Sequence, residues 1–100
     1  MMDLVIDKID FEYEYYFMDM MKCTKENIFA KSREIELKKS IVIYLKNIVH
    51  NNRNINLIKM TTSNGLIDEF YRYVIDHEDI GREEAMNRYM ENYIKWNDKI

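Results

Sequence analysis

Proline is absent from this 100-residue chain, cysteine occurs once, and glycine occurs twice, at Gly65 and Gly81. A lone Cys23 excludes an internal disulfide and a cysteine-based zinc site. Two isolated glycines exclude the glycine-rich loops that cradle phosphates, since neither GxGxxG nor GxxxxGK[ST] can be written. No apolar run exceeds the five residues Ile41–Leu45, far short of a bilayer crossing. The first residues carry no basic segment ahead of an apolar one, so no signal peptide is expected and the expected location is the cytoplasm. Excess positive charge is lacking too: 15 Lys and Arg against 18 Asp and Glu leave a net charge of −3, which disfavours a strongly basic duplex-binding domain.

What remains is globular in composition, 47% apolar, 33% charged and 13% aromatic, at a length suited to one domain spanning 1–100. Ile, Lys, Asn, Tyr, Met and Phe make up 54 of the 100 residues, and their AT-rich codons point to a low-GC genome. Apolar spacing is helical almost throughout. Val5, Ile6, Ile9, Tyr13, Tyr16, Phe17 and Met20 share one face of a helix expected near 3–22. Thr24, with Glu26 in the following turn, is placed to cap a second helical stretch over 25–50. There Ile28, Ile35, Val42 and Val49 fall at heptad spacing, flanked by Leu37, Ile41, Tyr44, Leu45 and Ile48. The polar patch Glu36–Ser40 suggests a break near 38. An asparagine-rich loop follows His50. Leu57–Met60 reads as a short helical turn at most. Ser63 or Asn64 is expected to cap a helix over 66–77 that buries Ile67, Phe70, Tyr71 and Val74. Asp79 is expected to cap a last helix over 80–97, with Met86, Tyr89, Met90, Tyr93 and Ile94 inward and Tyr73 an exposed aromatic. The expected architecture is a small all-α bundle of four to five helices.

Catalytic chemistry has little to stand on. His50 and His77 lie at expected helix ends, where the macrodipole welcomes a cation. The run Asp76-His77-Glu78-Asp79 lacks the helical spacing of a metal pair, and Cys23 has no histidine near it in sequence. The chain is therefore expected to be no enzyme and to need no cofactor or metal. For nucleic acid, Lys38, Lys46, Arg53 and Lys59 form a basic edge around the asparagine-rich loop. The one glycine-bearing turn between helices, at Gly81, is followed by Glu83 and Glu84 beside Arg82 and Arg88, which would meet phosphate repulsively. Direct nucleic-acid binding is thus disfavoured, and a small homodimeric nucleic-acid-binding regulator is the second reading.

The first helix carries the unusual feature. Asp3, Asp7, Asp10 and Glu14 recur at spacings of 4, 3 and 4, which aligns them within about 60° on one side of a helix. Leu4, Phe11, Tyr15 and Met18 align on the side away from the main apolar stripe. One apolar row suffices for a surface helix, so the second is a candidate contact surface, and acids beside it suit a partner with a basic groove. A homodimer seam is the other use of the same row.

From Asn64 the chain reads Asn64-Gly65-Leu66-Ile67-Asp68-Glu69-Phe70-Tyr71-Arg72. Earlier it carries Tyr13-Glu14-Tyr15-Tyr16-Phe17 and Thr24-Lys25-Glu26-Asn27-Ile28. These segments, spanning roughly 11–96, resemble an uncharacterised family of small helical domains from clostridial phages, plasmids and conjugative elements, with Lys25 standing where that family has proline. The resemblance transfers no active site. It implies a mobile-element setting, whose small acidic helical proteins include inhibitors of host defence systems, anti-CRISPR proteins among them. Such proteins act by stoichiometric binding and can present carboxylates where a nuclease expects phosphates. The leading expectation is therefore an inhibitor that occludes a basic site on a host protein, a CRISPR-associated nuclease being the example, through Asp3, Asp7, Asp10, Glu14, Phe11, Tyr15 and Met18. A structural subunit of a phage or conjugation assembly is the third reading.

Overall fold

The computed structural model describes residues 2–51 and 54–94. Within them are six α-helices, four of seven residues or more, and no strand, so the all-α expectation holds. They are α1 (Met2–Met21), α2 (Lys25–Ala30), α3 (Ser32–Asn51), α4 (Leu57–Thr61), α5 (Leu66–Asp76) and α6 (Arg82–Met90). Two 3₁₀ turns, Glu78–Ile80 and Glu91–Tyr93, flank α6.

Helix α1 lies along α3 and also reaches α4 and α5, while α3 packs on α5 and α5 on α6. The shared core takes Val5 and Ile9 from α1 and Ile41 and Leu45 from α3. Met60 comes from α4, Leu66, Phe70 and Val74 from α5, and Ala85, Met86 and Met90 from α6. Phe70 is its aromatic centre, edge-on to Tyr89 at 4.8 Å and stacked with Tyr93 at 6.2 Å. Burying such a ring contributes roughly 1.5–3 kcal/mol. Next to Phe70 on α5, the Glu69 carboxylate accepts from the Tyr93 hydroxyl at 2.5 Å and the Tyr89 hydroxyl at 3.2 Å, so the polar ends of two packed tyrosines are satisfied. Burial first, and then Glu69, push the pKa of Tyr93 up.

The termini of the helices depart from expectation in physically legible ways. Thr24 does cap α2, its Oγ1 accepting from the Asn27 amide at 3.2 Å. The helix then breaks at Lys31, not near 38. Helix α2 buries no residue, so no core side chain fixes it in line with α3, whereas Leu37 and Lys38 are buried mid-helix and keep α3 continuous. Ile28 and Ile35 are consequently only half-buried. Leu57–Thr61 is a short helix capped by Asn56, whose side chain accepts from the Lys59 amide at 3.0 Å. Neither Ser63 nor Asn64 caps α5. Gly65 stands at that position with no side-chain cap, and the Ile67 amide is instead bound at 3.1 Å by the Glu12 carboxylate of α1. Likewise Asp79 does not cap α6: it sits in the 3₁₀ turn, and Gly81 at φ 93, ψ 150 starts the helix. That backbone region is essentially restricted to glycine. The last helix therefore begins at Arg82 and ends at Met90. Past its final 3₁₀ turn, Ile94 is extended and pairs with Ile55 in an isolated β-bridge, supported by the Asn56 amide on the Tyr93 carbonyl at 2.6 Å. The part of the expected helix at 95–97 lies outside the described residues.

Two side chains are misplaced by the periodicity. Phe17 is 45% exposed, resting on the Tyr13 ring at 6.3 Å. On a helical wheel it stands about 90° from the centre of the arc defined by Val5, Ile9 and Met20, beyond the buried strip. Tyr73 is not an exposed aromatic. It is half-buried, stacked on His77 at 3.9 Å and packed near Tyr89 at 5.2 Å.

Candidate protein-binding face on the first helix

Around its axis α1 divides into four sectors, set by the 100° step of the helix. One sector, with Val5 and Ile9, enters the core. A second, with Lys8, Glu12 and Asp19, turns toward α5. Lys8 pairs with Glu12 at 3.1 Å and donates to the Ser63 carbonyl at 3.0 Å, while Glu12 takes the Ile67 amide. These bonds stitch α1 to the α4–α5 loop and place a carboxylate at the positive end of α5.

The third sector holds the four acids singled out by sequence, all exposed. Asp10, the member nearest the core side, is committed to Lys46 of α3 at 2.5 Å. Among the described residues no ion pair engages Asp3, Asp7 or Glu14. The fourth sector is the second apolar row, and it is open: Leu4, Phe11, Tyr15 and Met18 are 56%, 69%, 67% and 65% exposed. The structure thus keeps the row together, outside the core, along a helix about 30 Å long.

Where this row meets α5 there is a groove of 470 Å³, walled by Phe11, Tyr15 and Tyr16 and rimmed by Asp19 and Asp68. Lys38 closes its floor. Lys38 belongs to the basic edge expected from the sequence, yet it is only 6% exposed. Its ammonium sits 3.9 Å over the Tyr16 ring and 5.1 Å from that of Tyr71, paired with Asp68 at 3.0 Å and Glu34 at 3.5 Å. A lysine can be buried in this way because its charge is balanced by carboxylates and ring faces. Burial, then the adjoining Glu34, pushes the Tyr16 pKa up, so its hydroxyl stays protonated well into alkaline solution.

Two other members of the basic edge, Lys46 and Lys59, are also engaged internally. Lys46 serves Asp10, and Lys59 donates to the Asn92 carbonyl at 2.7 Å with its ammonium 5.4 Å from the Tyr93 ring. Arg53 lies outside the described residues. His50 is exposed in the last turn of α3, and His77 caps α5 with Nδ1 2.8 Å from the Tyr73 carbonyl. Cys23 is a half-buried free thiol beside the Asp19 carbonyl. Among the described residues no three His, Cys, Asp or Glu side chains converge as metal ligands. No helix there is long and apolar enough to cross a membrane.

Besides Phe17, sequence reasoning missed the exposed aromatic Phe29. Phe29 of α2 is 81% exposed beside a second, mainly apolar groove of 580 Å³ between α2 and α3. It is out of step with the heptad of Ile28 and Ile35, which was the only signal that it would face away. Comparison with known protein families, curated proteins and solved structures finds no match.

Proposed function

We propose that the chain is a non-enzymatic protein-binding module whose α1 docks its open apolar row onto a basic groove of a partner. The observation that carries this reading is the exposure of Phe11, Tyr15 and Met18 at 65–69% on one side of a helix whose opposite side is already buried. Aromatic and methionine side chains supply large contact area at such interfaces, and unpaired acids beside them favour a cationic partner and a fast encounter. Asp3, Asp7 and Glu14 fit that role better than Asp10, which the fold uses. The partner chemistry that suits the face is a groove built for phosphates, as in the nucleic-acid path of a host defence nuclease. The likeness to mobile-element domains sets the biological context for that partner, and inhibition by occlusion follows from the geometry proposed.

The test compares tagged wild type with two variants in lysate of a low-GC host. One carries Asp3→Lys, Asp7→Lys and Glu14→Lys; the other carries Phe11→Ala and Tyr15→Ala. The expected result is a captured protein whose retention falls with salt and is lost in both variants. Capture that survives both sets of changes, or co-purification of nucleic acid alone, would refute the reading.

A further inference from the structure

We infer that the groove between α1 and the start of α5 is a receptor for an arginine side chain of the partner. The inference rests on the protein-binding reading above and adds the residue type that enters and the place it enters. The groove already holds one cation by the chemistry a second would need: the Lys38 ammonium lies on the Tyr16 ring and between Asp68 and Glu34. Those two carboxylates balance Lys38, so it does not leave the floor with a net positive charge. Glu12 is committed to Lys8 and to the Ile67 amide, which also occupies the α5 terminus that would otherwise repel a cation. Asp19 is the groove's uncommitted acid among the described residues, exposed at its rim.

Outside the floor, the walls are the exposed rings of Phe11 and Tyr15, and these belong to the proposed docking row. Two ring faces and a free carboxylate match a guanidinium better than an ammonium. A guanidinium is planar, stacks on aromatic faces, is weakly hydrated and offers a fork of donors to a carboxylate. The 470 Å³ of the groove leaves room for the apolar stem as well. A basic groove that binds nucleic acid presents such arginines at its surface.

The probe is a capped tripeptide with a central arginine, beside its citrulline counterpart, which has the same shape and no charge. Both are titrated into the isotope-labelled full chain and followed by NMR. With arginine, shifts are expected to concentrate at Phe11, Tyr15, Tyr16, Asp19 and Ile67, and to be absent with citrulline. Tyr15→Ala combined with Asp19→Asn is expected to weaken binding by about fivefold or more, from one exposed cation–ring contact and one exposed ion pair. Unchanged signals from Val5, Ile9 and Ile41 show that this variant remains folded. Equal shifts with citrulline, no loss in the double variant, or shifts no larger than those at Asp76 and Asp79 would overturn the inference. The two readings fail separately: a partner still lost on reversing Asp3, Asp7 and Glu14, with no arginine response in the groove, removes the receptor and keeps the docking face.

Discussion

Replacing Lys38 by methionine keeps most of the buried stem and removes the ammonium shared by Tyr16, Tyr71, Glu34 and Asp68. Each cation–ring contact is worth about 0.5–2 kcal/mol, the upper value applying to a desolvated cation such as this one. The ion pairs add less, because the Asp68 side chain is 61% exposed and that of Glu34 26%, and solvent screens both. Against these losses stands the relief of no longer desolvating a charge. The balance is a destabilisation of about 1–2 kcal/mol for Lys38→Met, which for a chain of this size lowers the midpoint of thermal unfolding by roughly 5–15 °C. Lys38→Glu places a third carboxylate beside Glu34 and Asp68 and should cost about 3–5 kcal/mol. The exposed neighbour in sequence, Lys39→Glu, should change stability by no more than about 0.5 kcal/mol. Urea unfolding followed by circular dichroism near neutral pH measures all three. If Lys38→Glu unfolds within about 0.5 kcal/mol of the wild type, the buried cation is refuted and Lys38 returns to a solvent-facing basic edge.

Removing the long-range cap by Glu12→Ala should cost about 1–2 kcal/mol and speed hydrogen exchange of the Ile67 amide before that of the α5 interior. Gly81→Ala meets no steric neighbour among the described residues, yet its positive φ should make it about 1–3 kcal/mol less stable in urea. Burial, then the Glu83 carboxylate, push the Tyr44 pKa up to about 12. A folded pKa above the unfolded value stabilises the fold below about pH 10 and loses that contribution as pH rises through the folded pKa. Tyr44 absorbance in a difference titration against Tyr44→Phe should therefore show ionisation near pH 12, with stability declining from pH 10 upward. Asp10→Asn should lower stability by less than about 1 kcal/mol through loss of the Lys46 pair and leave partner binding intact, while Asp7→Asn should do the reverse.

Helix type and inward stripe were legible wherever one face alone is buried. Val5, Ile9, Ile41, Leu45, Phe70 and Val74 are all in the core, as their spacing required. Capping was not legible, because the group that caps α5 comes from Glu12, 55 positions away, and no local pattern reports a carboxylate delivered by another helix. The same blindness hid the groove. No local pattern distinguishes Lys8, Glu12 and Asp19 from solvated charges until α5 is laid beside them, and Lys38 fits a surface edge because lysine rarely has enough anionic and aromatic company to be buried. Conversely, the second apolar row was visible from sequence alone, since a stripe at about 140° from the core stripe lies outside the arc that a single core contact buries.

The cost of the acidic stripe bears on what maintains it. Asp3 with Asp7, and Asp10 with Glu14, are like-charged pairs at i, i+4, each disfavouring the helix by a few tenths of a kcal/mol. Asp3 gains some of this back at the helix N-terminus and Asp10 gains Lys46, but Asp7 and Glu14 gain no ion pair among the described residues. Leu4, Phe11, Tyr15 and Met18 likewise return little to the fold, because more than half of each remains in solvent. Two of the four sectors of α1 are therefore not accounted for by stability, and the charged one works mildly against it. A sequence can carry such a pattern by drift at single positions. A contiguous row of large apolar side chains bordered by unpaired acids is better explained by a surface that matters when something else is bound to it, which is why substitutions there should separate binding from stability.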